Sequence, residues 1–451
     1  MIIGIGMSNP FLVGVITLGL LLGLIFIGVR VVFAAAIVGL VGLVELRGWG
    51  PAAGIIGTIP HAKSSTYALS VLPMFIFIGF LAFHAGMTQQ LFDAARKWLG
   101  WLPGGLAVAT VFATAGFAAV SGASTATAAV FSRVAIPEML KYGYDRRMAA
   151  GVVASAGTLA TLIPPSAILV IYAIIVEQSV GKLLLAGFLP GIFSAFVYAG
   201  IIVVWAVMRP GSAPSVSGFT WGERMRTLPG ISPIILVVVI VMSAIYGGWA
   251  TPTEAGALGA AVVFMLALAR GTPLSAIKSS LMESAKLTVM IFSLIWGVLI
   301  FVRFLGFSGI PGAFTQWVVN LDMAPMTIMI LILLAYAILG MFMDAIGMLL
   351  LTLPVVYPAV MALGFDPIWF GIIVVKMAEV CLITPPIGLN CFVVNGVRPD
   401  IPLGDVFRGV ALFFIADVIT IAALLMFPEI VTWLPNFDFE AWWSGLWAVT
   451  Q

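Results

Sequence analysis

Two proline pairs, Pro164-Pro165 and Pro385-Pro386, each interrupt a long apolar run of the chain. A proline inside a helix donates no backbone hydrogen bond, and its ring clashes with the carbonyl four residues back. The pairs therefore free four carbonyl groups, those of Ala160, Thr161, Cys381 and Leu382. An unpaired carbonyl is costly in hydrocarbon, so such a break persists only where a polar partner meets it. We expect a sodium ion with oxygen ligands at each break; a plain proline kink is the alternative.

Two other segments offer polar groups at membrane depth. Residues 121–129 are small and rich in hydroxyls, and they include Ser121, Ser124 and Thr125. Such residues suit a tight turn that meets an anionic substrate at a helix N-terminus, or alternatively a packing face between helices. Residues 340–347 contain Asp344. A carboxylate at that depth indicates a cation partner, although it also suits the N-cap of a returning helix.

The segment around the second proline pair carries further polar side chains. Thr384 offers a ligand oxygen and Asn390 offers donors to a substrate carboxylate, unless neighbouring backbone satisfies both. Lys376 and Glu379 are three residues apart on one helix, which predicts a local ion pair. Cys381 and Cys391 are isolated, and we interpret them as small core residues, not as a disulfide or a metal site.

The composition predicts an all-α polytopic membrane protein: 62% of residues are hydrophobic, 8% are charged and the mean hydropathy is +1.20. We expect no nucleic-acid partner. The chain has no GxxxxGK[ST] motif for ATP, and its two histidines, His61 and His84, lie far apart in sequence. Without a nucleophile–base pair or a set of metal ligands at depth, we do not expect an enzyme.

Part of the first half of the chain aligns with part of the second half at a constant difference in residue number, the offset. This offset aligns Pro165 with Pro386. Over residues 137–165 and 358–386 this offset needs no gap, and it aligns glycine, aspartate and proline residues that set backbone geometry. Broken helices recurring in two halves of a membrane chain are typical of secondary transporters. We predict two inverted-topology repeats, each with five crossings, one re-entrant helical hairpin and one broken helix.

The predicted domains follow from the offset. The first repeat covers 1–208, with its hairpin at 104–136 and its broken helix at 147–177. A cytoplasmic linker follows at 209–230. The second repeat covers 231–427, with its hairpin at 325–357 and its broken helix at 368–395, and an interfacial tail covers 428–451. We also predict short interfacial helices at 88–98, 271–286 and 312–320.

Lys and Arg residues predict the orientation, because cytoplasmic loops carry an excess of them. Both flanks of the first hairpin are basic, with Arg96, Lys97, Lys141, Arg146 and Arg147, so this hairpin enters from the cytoplasm and returns. The second hairpin is flanked by Asp322 and Asp366, which places it on the outside. An odd number of crossings in each half then places both termini outside.

The chain resembles the large membrane subunit of the tripartite ATP-independent periplasmic (TRAP) transporters over residues 11–427. The resemblance depends on SGASTATAA at 121–129, on IPEMLKYGYDRRMAAGVVASAGTLATLIPPS at 136–166 and on AEVCLITPPIGLN at 378–390. It implies a sodium-driven importer of organic acids that works by an elevator motion in the bacterial inner membrane, with both termini periplasmic. It also implies two partners: a small four-helix membrane subunit and a periplasmic substrate-binding protein.

The resemblance further implies two sodium sites. The first falls on Ser121 and Ser124 with the carbonyls of Ala160, Ile163 and Pro165. The second falls on Gly340 with Cys381, Thr384 and Ile387, and Asp344 lies close by. The sequence departs from the family at Ala160 and Cys381, where glycine is usual, and at Ala123.

We hypothesise that the substrate lies between the hairpin tips, contacted by Ser124, Thr125 and Asn390, with sodium neutralising its charge. A stand-alone ion-coupled carboxylate carrier of related architecture is the alternative within transport. A channel fits less well, because paired inverted hairpins suit alternating access.

Overall fold

The structure is a computed structural model that describes residues 9–209 and 211–437. Its first half is built from the helices Pro10–Phe26 (α1), Val31–Arg47 (α2), Trp49–Ser64 (α3), Val71–His84 (α4), Met87–Leu99 (α5), Gly105–Ser121 (α6), Ser124–Lys141 (α7), Arg146–Thr158 (α8), Ala167–Ile175 (α9) and Val180–Met208 (α10). A short connecting helix follows at Trp221–Met225 (α11).

The second half repeats this order, except that the single helix Leu274–Ser308 stands where the first half has α3 and α4. It consists of the helices Leu228–Tyr246 (α12), Pro252–Ala269 (α13), Leu274–Ser308 (α14), Ile310–Val319 (α15), Pro325–Gly340 (α16), Ala345–Ala362 (α17), Pro367–Cys381 (α18), Leu389–Val397 (α19), Leu403–Met426 (α20) and Glu429–Thr432 (α21). Helices α7 and α17 are related at both ends by the same offset that relates the two proline pairs.

The all-α membrane fold that the composition predicts is confirmed for the described residues. Seven helical segments are long and apolar enough to span a membrane: α4 with the turn before it, α10, α11–α12, α13, α14, α17 and α20. The apolar helices α1, α6 and α16 are shorter. Helix α6 contacts α7, and α16 contacts α17, at the two predicted hairpins. The predicted broken helices are the pairs α8–α9 and α18–α19.

Aligned residues start aligned helices. Asp145 caps α8 by accepting a hydrogen bond from the Arg147 N–H at 2.8 Å, and Asp366 caps α18 by accepting one from the Trp369 N–H at 2.8 Å. An aspartate at this position satisfies an N–H that has no partner inside the helix. The repeated helix boundaries therefore follow from local sequence.

Two sequence-based boundaries were wrong. Residues 271–286 do not form a separate interfacial helix, because they run without a break into the 35-residue helix α14. In the first half, the residues corresponding to this helix are divided between α3 and α4. Helix α3 itself was not expected from the sequence. The other two predicted interfacial helices are present as α5 and α15.

The linker at 209–230 packs against the base of the first hairpin. The Tyr144 hydroxyl donates to the Pro214 carbonyl at 2.8 Å and accepts from the Leu106 N–H at 3.0 Å. Burial raises the pKa of Tyr144 to about 12. This tyrosine thus joins the hairpin, the start of the broken helix and the linker on one face of the molecule.

Two bodies of packed helices can be recognised from their close crossings. Gly39 of α2 lies against the backbone of Phe301 in α14, where an added Cβ would come within 2.7 Å of it. Gly151 of α8 meets Gly409 of α20 equally closely. Small residues at such crossings let helix backbones approach each other. Helices α1–α4 and α12–α14 contact one another, and we call them the framework. We call the hairpins and broken helices, with α10 and α20, the core; α4 and α14 of the framework also contact α6 and α17 of the core.

Candidate functional site

The first break is a fully buried, irregular segment between α8 and α9. After α8 ends, a 3-10 turn covers Leu159–Thr161, and the Pro164-Pro165 peptide is cis. Ser166 caps α9 through the Leu169 N–H at 3.3 Å, and its hydroxyl donates to the Thr161 carbonyl. The prolines were expected to free the carbonyls of Ala160 and Thr161. The Thr161 carbonyl is therefore satisfied by the protein itself.

The other carbonyls of the first break between Ala160 and Pro165 are not satisfied in this way. No residue in the described ranges donates a hydrogen bond to the carbonyl oxygens of Ala160, Ile163 and Pro165, which the resemblance implies as ligands, or to those of Leu162 and Pro164. Buried backbone oxygens without donors are rare in folded proteins. The side chains around them are buried as well, so these oxygens face neither lipid nor bulk water. Carbonyl oxygens of this kind are ligands that a small, hard cation takes.

The tip of the first hairpin lies directly on this break. The Ala167 N–H donates to the Gly122 carbonyl at 3.4 Å, and a methyl group at Gly122 would lie 2.5 Å from the Pro165 oxygen. Gly122 also has a φ of +60°, so only glycine suits this turn without strain. The neighbouring Ser121 hydroxyl lies 2.9 Å from that of Thr127, whose own hydrogen goes to the Ala123 carbonyl. Ser121 is therefore the donor, and its oxygen keeps free lone pairs.

The second break repeats the pattern with different side chains. Its Pro385-Pro386 peptide is cis, and the Asn390 N–H donates to the Leu382 carbonyl at 2.9 Å. Leu382 aligns with Thr161, whose carbonyl is satisfied in the first break. Several carbonyl oxygens of this break and of the second hairpin tip have no donor among the described residues, including those of Pro385 and Pro386. The four positions that the family resemblance implies for a second ion, Gly340, Cys381, Thr384 and Ile387, are among them.

The second hairpin contacts the second break through Gly340 and Cys381. A methyl group at Gly340 would overlap the Cys381 Sγ, which itself approaches the Met377 carbonyl at 3.1 Å. The Thr384 hydroxyl donates to the Val380 carbonyl at 2.5 Å and keeps its lone pairs. Unlike the first break, this one is partly open, since Pro385 and Pro386 are exposed.

Asp344 is the N-cap of α17. Its carboxylate accepts a hydrogen bond from the Gly347 N–H at 2.9 Å. The capping interpretation that the sequence left open is therefore present in the structure. The carboxylate remains at the hairpin tip, with the capacity to accept more than this one bond.

The candidate substrate residues Ser124 and Asn390 meet across the two halves. The Asn390 amide donates to the Ser124 hydroxyl at 2.9 Å and to the Ala154 carbonyl at 3.0 Å, and Ser124 donates back to the Asn390 Oδ1 at 3.2 Å. Both amide hydrogens are used within the protein. A ligand that accepts a hydrogen bond from this amide must displace either Ser124 or the Ala154 carbonyl. Thr125, the third candidate, lies next to this contact and is partly exposed.

The predicted ion pair between Lys376 and Glu379 is present, and the structure adds a second partner for Lys376. The Lys376 ammonium lies 2.5 Å from Glu379 and 2.8 Å from Asp417 of α20, and all three side chains have no exposed surface. Tyr198 of α10 donates to Asp417 at 2.7 Å. Sequence reasoning missed Asp417, although a carboxylate inside the apolar run 403–426 was a signal that could have found it.

A cavity of about 580 Å³ separates the two bodies of helices on one side of the molecule. Its walls come from α9 and α17 of the hairpin core and from α14 of the framework. The unpaired carbonyls of both breaks lie elsewhere. The cavity is therefore a space between two packed bodies, not part of either candidate ion site.

Repeated helical hairpins and broken helices within a multi-span helical fold are typical of membrane transport proteins, and they place this chain in that class. The chain belongs to the family described as "Tripartite ATP-independent periplasmic transporter, DctM component", which it matches over residues 18–430. This agrees with the resemblance that the sequence motifs indicate.

Relatives with established names carry different cargoes. The chain is 37% identical to the C4-dicarboxylate TRAP transporter large permease protein DctM of Pseudomonas aeruginosa, covering 82% of this chain and 85% of that protein. It is 28% identical to the sialic acid TRAP transporter large permease protein SiaM of Vibrio cholerae, covering 92% and 96%. It is 30% identical to the ectoine TRAP transporter large permease protein TeaC of Halomonas elongata, covering 83% and 87%.

A solved structure shares the fold. The YdaH transporter of Alcanivorax borkumensis superposes with a TM-score of 0.56 at 14% identity, covering 86% of this chain and 90% of that one. At this identity the likeness concerns the architecture alone.

Proposed function

We propose that this chain is the sodium-coupled transport subunit of a TRAP system that imports an organic acid across the bacterial inner membrane by an elevator motion. Two sodium ions bind, one at each break. The substrate lies between the hairpin tips near Ser124, Thr125 and Asn390. Among the relatives, C4-dicarboxylates and sialic acid are acids, which supports a carboxylate as the class of cargo.

One observation carries the proposal: each break presents a set of carbonyl oxygens, without donors among the described residues, directly beneath a hairpin tip. The aligned residues Ala160 and Cys381 both belong to these sets, as do Ile163 and Thr384. Sodium compensates several such dipoles at once. At the buried first break, a kink alone would leave these oxygens with the full cost of burial without a partner.

Binding of the ions then orders the tips. Ser121 contributes a hydroxyl oxygen at the first site, and Asp344 contributes charge near the second. Sodium at both sites offsets the charge of an incoming carboxylate, so the loaded core crosses the membrane at a lower electrostatic cost. The cavity between the framework and the core supports a movement of one body against the other.

The proposed orientation places both termini in the periplasm. It requires the segments before α8 and before α20 to lie on the same, cytoplasmic, face. Arg146 and Arg147 contact Asp405 at 2.7 and 3.0 Å, which joins these two segments in one ion-pair cluster. The remaining partners of the proposal are a small four-helix membrane subunit beside the framework and a periplasmic binding protein that delivers substrate. The predicted tail at 428–451 lies mostly outside the described residues.

The test is uptake into liposomes that contain this chain and its small subunit, with the binding protein and a labelled organic acid outside. We expect uptake in a sodium gradient and none when choline replaces sodium. Equal uptake in choline would contradict the sodium coupling. Uptake that persists after omission of the binding protein would support the stand-alone carrier instead.

A further inference from the structure

The buried cluster around Lys376 contains more carboxyl groups than amines. One ammonium faces two carboxylates, Glu379 and Asp417, and none of the three side chains has exposed surface. The Oδ2 atom of Asp417 has no hydrogen-bond partner among the described residues. Buried charged groups require close compensation, so a second carboxyl group beside one ammonium at this depth needs an explanation.

The cluster is bonded to the first break through Thr161. The Thr161 hydroxyl lies 2.6 Å from the Glu379 Oε1 and 2.8 Å from the Thr158 carbonyl. Thr161 directly follows Ala160, whose carbonyl is one of the unpaired oxygens. Glu379 therefore fixes the turn from which a candidate ion ligand projects.

The same carboxylate also belongs to the second break. Glu379 lies in the last turn of α18, two residues before Cys381, whose carbonyl is an unpaired oxygen of the second set. The bond from Glu379 to Thr161 spans 218 residues of sequence. No equivalent bond runs in the other direction, because Leu382, which aligns with Thr161, has an apolar side chain. The connection between the two breaks is thus asymmetric.

We propose that Glu379 is a positioning residue for the first sodium site. It holds Thr161 so that the Ala160 carbonyl points toward the ion, and the carboxyl groups of the cluster, which outnumber its one ammonium, raise the affinity for a cation there. The permanent ammonium of Lys376 keeps their charge tolerable when the site is empty. The inference depends on the proposed sodium coupling.

Thr161→Val tests the bond alone, because it removes one hydroxyl and keeps the shape and the charges. The measurement is the thermal stability of the full chain in detergent across a sodium chloride titration, with choline chloride holding the ionic strength. We expect Thr161→Val to raise the sodium concentration for half-maximal stabilisation about tenfold, which corresponds to about 1.4 kcal/mol. Thr161→Ser, which keeps the hydroxyl, should restore the wild-type value.

Thr420→Val is the matched control. Thr420 is buried in α20 one turn from Asp417, and within the described part of the chain its hydroxyl bonds only to the Ala416 carbonyl of its own helix, at 2.9 Å. We expect no change in its sodium midpoint. Glu379→Gln keeps an acceptor for Thr161 but removes the charge, and it should weaken sodium binding at least as much as Thr161→Val.

The outcomes separate the two proposals. If the wild-type protein shows no sodium-dependent stabilisation, both the sodium coupling and this inference are overturned. If the wild-type protein responds but Thr161→Val has the same sodium midpoint, the positioning role alone is overturned, even if that variant is less stable in choline. If Glu379→Gln does not fold, the Thr161 variants still decide the question.

Discussion

Ser124 and Asn390 exchange two hydrogen bonds between the tip of the first hairpin and the start of α19, although 266 residues separate them in sequence. The contact joins the two halves where the substrate is proposed to bind. In this conformation the Ser124 hydroxyl and the Ala154 carbonyl use both amide hydrogens of Asn390.

A double-mutant cycle measures this contact. Ser124→Ala and Asn390→Ala each remove one partner, and we expect the pair to show a coupling energy of about 0.5–3 kcal/mol, as contacting residues do. The measurement is reversible unfolding of the purified chain in mixed detergent micelles. Additive effects would show that the two side chains do not interact in the protein.

Ser121→Ala tests the first ion site. The Ser121 oxygen keeps free lone pairs beneath the hairpin tip, so its loss should raise the sodium concentration for half-maximal uptake about tenfold, or ~1.4 kcal/mol. Ser132→Ala is the control, because among the described residues the buried Ser132 hydroxyl bonds only to the Ala128 carbonyl of the same hairpin arm, at 2.7 Å. An equal effect of the two variants would argue against a ligand role for Ser121.

Gly340→Ala tests the contact between the second tip and the second break. The new methyl group would meet the Cys381 sulfur, so the tip must move away from the break and sodium-dependent uptake should fall. The double variant Gly340→Ala with Cys381→Gly removes the obstructing side chain and should recover most of the uptake. A double variant as impaired as the single one would mean that this contact does not limit transport.

Gly409→Ala tests the packing of the core. A methyl group there would overlap the Arg147 carbonyl. Because that carbonyl belongs to the backbone, it cannot rotate away as a flexible side chain could. Because overpacking costs about 1–3 kcal/mol, we expect a clear fall in the thermal midpoint. Gly404→Ala on the same helix has open space around it and should change stability by less than about 0.5 kcal/mol.

Much of the candidate site follows from local sequence. A proline cannot continue the hydrogen-bond ladder of a helix, so the two pairs dictate where α8 and α18 end. Aspartate caps and the repeated offset then locate the neighbouring helices. The hydroxyl-rich tip and the position of Asn390 were also predictable, because small and polar residues are conspicuous in an apolar chain.

Local sequence was less informative about side-chain partners. The sequence spacing predicts Glu379 as a partner of Lys376. It does not predict the second partner, Asp417, because that residue lies on a different helix. Likewise, the proline positions predicted free carbonyls at Thr161 and Leu382, whereas the fold pairs both of them with donors.

The order of residues is enough to establish an all-helical membrane chain with two matching interruptions, because proline, glycine and hydrophobicity act on the backbone locally. Helix packing then settles which carbonyls stay without donors in the described ranges, that Ser124 faces Asn390, and that Glu379 bonds to Thr161. Those relationships arise when helices that are distant in sequence pack together. The same packing gives the Thr161 carbonyl a donor and leaves the neighbouring Ala160 carbonyl without one.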